Sequence, residues 1–127
     1  MSEFVVKDSG ARHQFESGML RDSQKNDKTD WELILVGPMA RRWAEHLTKG
    51  AKKYPDPALG VPNWTLASGL AEYVHARKSL SHHYFDYLYG ERSEDHASAL
   101  FFNINLMEYL KARIFAETGS YPEALIP

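Results

Sequence analysis

The sequence predicts an all-α domain. Apolar residues recur at steps of three and four over residues 39–54, 66–89 and 94–118, proline and glycine fall where those runs end, and no stretch reads as a convincing strand. The expected form is a compact helical domain built on an antiparallel helix hairpin and preceded by an irregular N-terminal arm.

The first helix is expected to begin near Pro38, with Met39, Trp43, Leu47, Ala51 and Tyr54 as its apolar stripe and Glu45, Lys49 and Lys52 off it. Pro55 and Pro57 end it, because the residue before a proline is driven out of the helical region. Residues 55–64 then read as a loop. Thr65 is the expected N-cap of the second helix, which runs through Leu66, Leu70, Tyr73, Leu80, Tyr84 and Leu88 to a stop at Gly90.

Ser93 is the expected cap of the third helix, with Glu94 and Asp95 placed early where the helix dipole favours anions, and Gly119 ends it. A connection spanning only 90–93 requires the second and third helices to pack as an antiparallel hairpin. On the third helix His96, Leu100, Asn103, Met107, Leu110 and Ile114 share one face, so two polar side chains lie on a stripe that otherwise reads as core. Each would cost about 1–3 kcal/mol if buried without a partner. Either another element satisfies them or the stripe also lines a cavity for a polar ligand.

The 127 residues, 43% apolar and 25% charged, suffice for one small core. The expected organisation is a single domain, 1–127, with a mobile terminus over 1–14, an arm over 15–37, a helical core over 38–118 and a tail over 119–127. The absence of cysteine excludes disulfides and thiolate metal sites and fits a cytoplasmic protein. No apolar run approaches the roughly 20 residues that span a bilayer, and MSEFVVKDSG lacks a signal-peptide pattern. A net charge of −2 offers no general attraction to nucleic acid or to an anionic membrane. Any anionic ligand must be held locally.

The hairpin gathers chemistry at one corner. His82, His83 and Asp86 lie near the end of the second helix, Glu91 in the turn, and Glu94, Asp95 and His96 at the start of the third. Carboxylate oxygens suit Mg²⁺ or Mn²⁺, and Mn²⁺ also accepts imidazole. Such a set reads either as a metal site or as helix-dipole acids beside a solvated histidine patch. In the arm, Arg21 and Lys28 are single cations set among aromatic residues.

The order of motifs resembles one family. F-x-S-G-x-x-R-D, K-x-D-W-E-L-I, A-E-H-x-x-x-G-A-K-K-Y, N-W, S-x-x-H-H-x-x-x-Y-x-x-G-E and E-D-H, with Asn seven residues beyond that last histidine, run from Phe15 to about Tyr109. They are similar to the phage dATP/dGTP diphosphohydrolase N-terminal family, related to the MazG-like all-α nucleotide pyrophosphohydrolases. The resemblance implies hydrolysis of a (deoxy)purine nucleoside triphosphate to the monophosphate and pyrophosphate, dependent on Mg²⁺ or Mn²⁺.

Carried over by position, Glu45 and Asp95 would ligate metal, with Glu91 or Glu94 as a further ligand, and His83 would be a catalytic group that ligates metal, orients a carboxylate or contacts phosphate. Arg21, Lys28 and Lys53 would neutralise phosphates. Tyr54 or Trp64 would stack on the base, Asn63 or Asn103 would read its edge or the sugar, and His96 would contact phosphate, ligate metal or orient a carboxylate. Two positions depart from the pattern: His82 stands where the family usually has Arg, and Ala99 where many members have a second histidine. Of the paired acidic motifs of MazG enzymes, Glu91-x-x-Glu94 is the nearest spacing. The alternative reading is a catalytically silent nucleotide-binding or protein-interaction module. Apolar positions beside the main stripe, among them Phe101, Phe102 and Ile104, together with the MazG resemblance, predict a homodimer or higher homo-oligomer.

Overall fold

The computed structural model describes residues 4–23 and 28–127. The described residues divide into two compact units, one ending at Leu33 and the other running from Ile34 to Pro127.

The first unit holds strands where the sequence predicts none. Two short strands, β1 (Arg12–Gln14) and β2 (Leu20–Asp22), pair antiparallel with His13 opposite Arg21. Gly18, at φ +91, makes the turn between them, and its amide donates to Phe15 O. Arg12 reinforces the pair by bonding Asp8 on one side and Asp22 on the other. Three-residue strands carry too little alternation to be read from the sequence, so part of the expected mobile terminus and irregular arm is a hairpin. A 3-10 turn follows at Trp31–Leu35, opened by Asp30, whose side chain accepts from Glu32 N.

The second unit contains three helices: α1 (Met39–Lys53), α2 (Leu70–Leu88) and α3 (His96–Thr118). The all-α prediction holds, with the expected α2/α3 hairpin at its centre and α1 against α3. Both expected caps move. Residues Asn63–Leu66 form a separate 3-10 turn, in which Thr65 Oγ1 donates to Pro62 O instead of capping a helix. The second helix therefore starts four residues late, at Leu70, after an N-cap at Gly69, and Glu72 reaches back to accept from the amides of Ser68 and Gly69. Asp95 rather than Ser93 caps α3, accepting from Ser98 N at 3.1 Å. The helix-to-helix connection thus spans 89–95, and Ser93 N is spent on the Glu91 carboxylate.

The α3 stripe is buried or half-buried throughout, with Leu110 fully enclosed. Ala67, Tyr73, Leu110 and Ile114 form the core, joined by Leu106, Met107 and Ile126. On α2 the expected stripe is correct only in the middle. Tyr73 is buried and Leu80 half-buried, but Leu66, Leu70, Tyr84 and Leu88 are exposed. The face turned inward is instead Tyr73, Ala76, Ser79 and His83, small or polar residues that let α3 approach. On α1, Met39, Trp43 and Leu47 are half-buried, while Ala51 and, just past its end, Tyr54 are exposed. The expected tail folds back on α3: Pro122 is buried, Tyr121 stacks on Phe115 with centroids 4.7 Å apart, and Glu123 pairs with Lys111.

Candidate functional site

The three helices and the Asn63–Leu66 turn line an open cavity of about 1280 Å³ within the second unit. Its lining follows from the local structure. On α1, positions 42, 45, 46, 49 and 53 lie on one face at helical spacing, so Arg42, Glu45, His46, Lys49 and Lys53 reach it together. The turn adds Asn63 and Trp64, α2 adds His75, Ser79 and His83, and the start of α3 adds Glu94, Asp95, Phe102 and Asn103.

The turn is held by α3. Tyr109 OH donates to Thr65 O at 2.8 Å, and Arg113 Nη1 donates to both Thr65 O and Ala67 O at 3.1 Å. Trp64 is thereby set edge-on to Phe102 and Tyr109, with centroids 6.4 and 5.2 Å away.

At the acidic corner, Asp95 is a junction. Arg42 donates to it through Nε, at 2.9 Å from Oδ2, and Nη2, at 2.5 Å from Oδ1, while Ser98 donates through its amide and hydroxyl. The Arg42 guanidinium holds the Asp95 carboxyl far below its ordinary range. Beside it, buried His96 bonds Glu91 through Nε2 and His83 through Nδ1, the two Nδ1 atoms lying 2.8 Å apart. One proton must lie between those nitrogens. Glu91 raises the His96 imidazole above its ordinary value, and His96 in return holds Glu91 down to about 2.

Ligand atoms of His83, Glu94 and His96 lie within 4.8 Å of one another, as do those of Asp86, Glu91 and His96. Carboxylates with imidazole form a donor set suited to Mn²⁺, and the carboxylates alone suit Mg²⁺.

A family model for dATP/dGTP diphosphohydrolase, N-terminal, matches residues 20–115. The chain belongs to that family. No curated protein and no solved structure matches it significantly.

Against the family's motif positions, the cavity brings together Glu45, Lys53, Tyr54, Asn63, Trp64, His83, Asp95 and Asn103. His96 and Glu91 stand behind His83 as its hydrogen-bond chain. Glu45 is exposed and accepts from Arg41 Nε at 3.0 Å, one helical turn away. Lys53 lies over the Tyr54 ring at 5.2 Å. Arg21, on β2, and Lys28 belong to the first unit.

Sequence reasoning missed Arg42, His46, Ser79, Phe102 and Arg113. Arg42 could have been found from its spacing, three residues before Glu45 on the same face, but its partner lies 53 residues away. His46 faces Phe102 with centroids 5.8 Å apart, and burial pushes its imidazole below the ordinary value.

Proposed function

We propose that the chain is a metal-dependent pyrophosphohydrolase that converts a purine deoxynucleoside triphosphate to the monophosphate and pyrophosphate. The observation that carries this reading is one cavity in which the carboxylates at the start of α3 and the His83 imidazole of α2 are continuous with cations of α1 and an aromatic wall of Trp64 and Phe102, in a chain of the dATP/dGTP diphosphohydrolase N-terminal family. A nucleotide needs those three chemistries in one place: donors for a divalent ion, positive charge for phosphate and a flat apolar face for the base.

Glu94 and the His83 ring, whose ligand atoms lie within 4.8 Å of each other, would hold Mg²⁺ or Mn²⁺, with Glu45 from α1 and Asp95 facing the same cavity as further carboxylates. The ion, when bound, neutralises the polyphosphate and lowers the pKa of a coordinated water. The chain's own residues supply the rest. Arg42 fixes the rotamer of Asp95, and the Glu91–His96 pair orients His83. Lys49 and Lys53 place positive charge beside the phosphates, and Trp64 offers its ring to the base. The same reading includes a homodimer, because Tyr84 and Leu88 of α2 and Phe101 and Ile104 of α3 are large apolar groups left exposed.

Incubation with each deoxynucleoside triphosphate and Mn²⁺, followed by separation of products, tests it. Monophosphate and pyrophosphate from dATP or dGTP are expected. Release of orthophosphate overturns the reaction class, and binding without turnover favours a silent nucleotide-binding module. Mn²⁺ alone should raise the melting temperature, since an ion that binds only the folded state stabilises it by mass action.

A further inference from the structure

The geometry points to Asn103 as the residue that reads the purine, through an amide oxygen that accepts a hydrogen bond from the exocyclic amine of the base. This deepens the functional reading above and rests on its claim that the cavity takes a purine nucleotide.

Asn103 is 6% exposed and lines the cavity, next in the chain to Phe102 and three residues before Leu106, which line it too. Its amide orientation is fixed by chemistry. Ala99 O can only accept, so the atom 2.9 Å from it is the nitrogen Nδ2, which also points at Ser79 Oγ at 3.5 Å. Both hydrogen bonds of the side chain therefore use its donor end. No hydrogen bond among the described residues uses the acceptor end, Oδ1, and it is not sealed from solvent, so a ligand in the cavity that brings an N–H can reach it.

Position along α3 assigns that ligand atom to the base rather than to phosphate. Asn103 lies eight residues beyond Asp95, about 12 Å along the helix axis at 1.5 Å per residue, next to Phe102, whose ring meets Trp64 edge-on. An oxygen acceptor repels phosphate and suits an amine. Adenine and guanine each carry one, whereas purine and hypoxanthine do not.

The test compares wild type with Asn103→Thr. A threonine hydroxyl can repeat the bond to the carbonyl four residues back, as Thr48 and Thr118 already do at 2.8 Å, while withdrawing the amide oxygen from the cavity. Calorimetric titration uses dGMP against dIMP and dAMP against deoxynebularine monophosphate, which cannot undergo the proposed hydrolysis, so base recognition is read apart from turnover. In at least one pair the amine-bearing nucleotide should bind wild type about tenfold more tightly, the scale of one hydrogen bond. That ratio should fall to within about twofold in Asn103→Thr. Asn103→Ala serves as the second variant if threonine prevents folding. Equal affinities within both pairs for wild type, or a ratio that survives in a folded variant, overturn the assignment. Loss of pyrophosphate release alone would count against the reaction and leave this ratio intact, whereas failure of wild type to bind any of the four nucleotides overturns both.

Discussion

Arg42 on α1 and Asp95 at the head of α3 form a two-pronged ion pair, with contacts of 2.9 and 2.5 Å, and the same carboxylate caps α3 through the Ser98 amide. One side chain thus joins two helices and starts one of them. An aspartate-to-asparagine change keeps a capping oxygen but loses the charge, while alanine loses both. Asp95→Asn should fold with nearly native helicity, and Asp95→Ala should lose about 1 kcal/mol of capping stability besides, measured as a shift in urea midpoint. Equal midpoints for the two variants would show that the cap contributes nothing.

On turnover Glu45 of α1 and Asp95 at the head of α3, both facing the cavity, should behave alike. Glu45→Gln and Asp95→Asn are each expected to lower kcat by two orders of magnitude or more, with the circular-dichroism spectrum unchanged, because loss of a metal-binding carboxylate removes the charge clamp and the activated water together. Full activity in folded Asp95→Asn would remove that residue from the ligand set.

The pair of buried His96 and exposed Glu91 makes stability depend on pH in a defined sense. Glu91 titrates at about 2 in the fold against an ordinary value of 4.5, so its contribution is fully present above 4.5 and is lost as pH falls towards 2. His96 is raised above its ordinary 6.5, so its contribution is fully present below 6.5 and is lost as pH rises through the folded value. The pair should stabilise most between pH 4.5 and 6.5. Thermal melts across pH 3–9 should show wild type exceeding Glu91→Gln by the widest margin in that window. A margin independent of pH would contradict the pairing.

Arg113 should act on binding without touching the nucleotide. Its guanidinium holds two carbonyls of the segment that carries Asn63 and Trp64. Arg113→Met keeps the length of the side chain and removes the donors, so KM should rise severalfold while kcat changes little. A fall in kcat with KM unchanged would place Arg113 elsewhere in the reaction.

Leu110 is fully enclosed at the centre of the core. Leu110→Ala removes buried methyl groups and leaves a void beside Tyr73 and Ile114, which should cost about 2–5 kcal/mol by denaturant unfolding. A loss under 1 kcal/mol would mean that the surrounding helices close over the gap.

The sequence by itself determined the three helices and most of their ends. Hydrophobic spacing of three and four is a property of neighbours in the chain, and Pro55, Pro57, Gly90 and Gly119 act through their own backbone preferences, as Gly119 does in closing α3 at φ +75. It also marked His96 and Asn103 as polar groups on a core face, since their register on α3 is local. What lay beyond it was every relationship set by a distant partner. Asp95 displaced Ser93 as the cap once Arg42, 53 residues away, fixed its carboxylate. The inner face of α2 became Tyr73, Ala76, Ser79 and His83 because α3 packs closely there, and Tyr84 and Leu88 were left outside. Local periodicity ranks residues by apolarity, whereas packing chooses the face that fits, so only the tertiary structure decided which polar groups meet and which way Asn103 turns its amide.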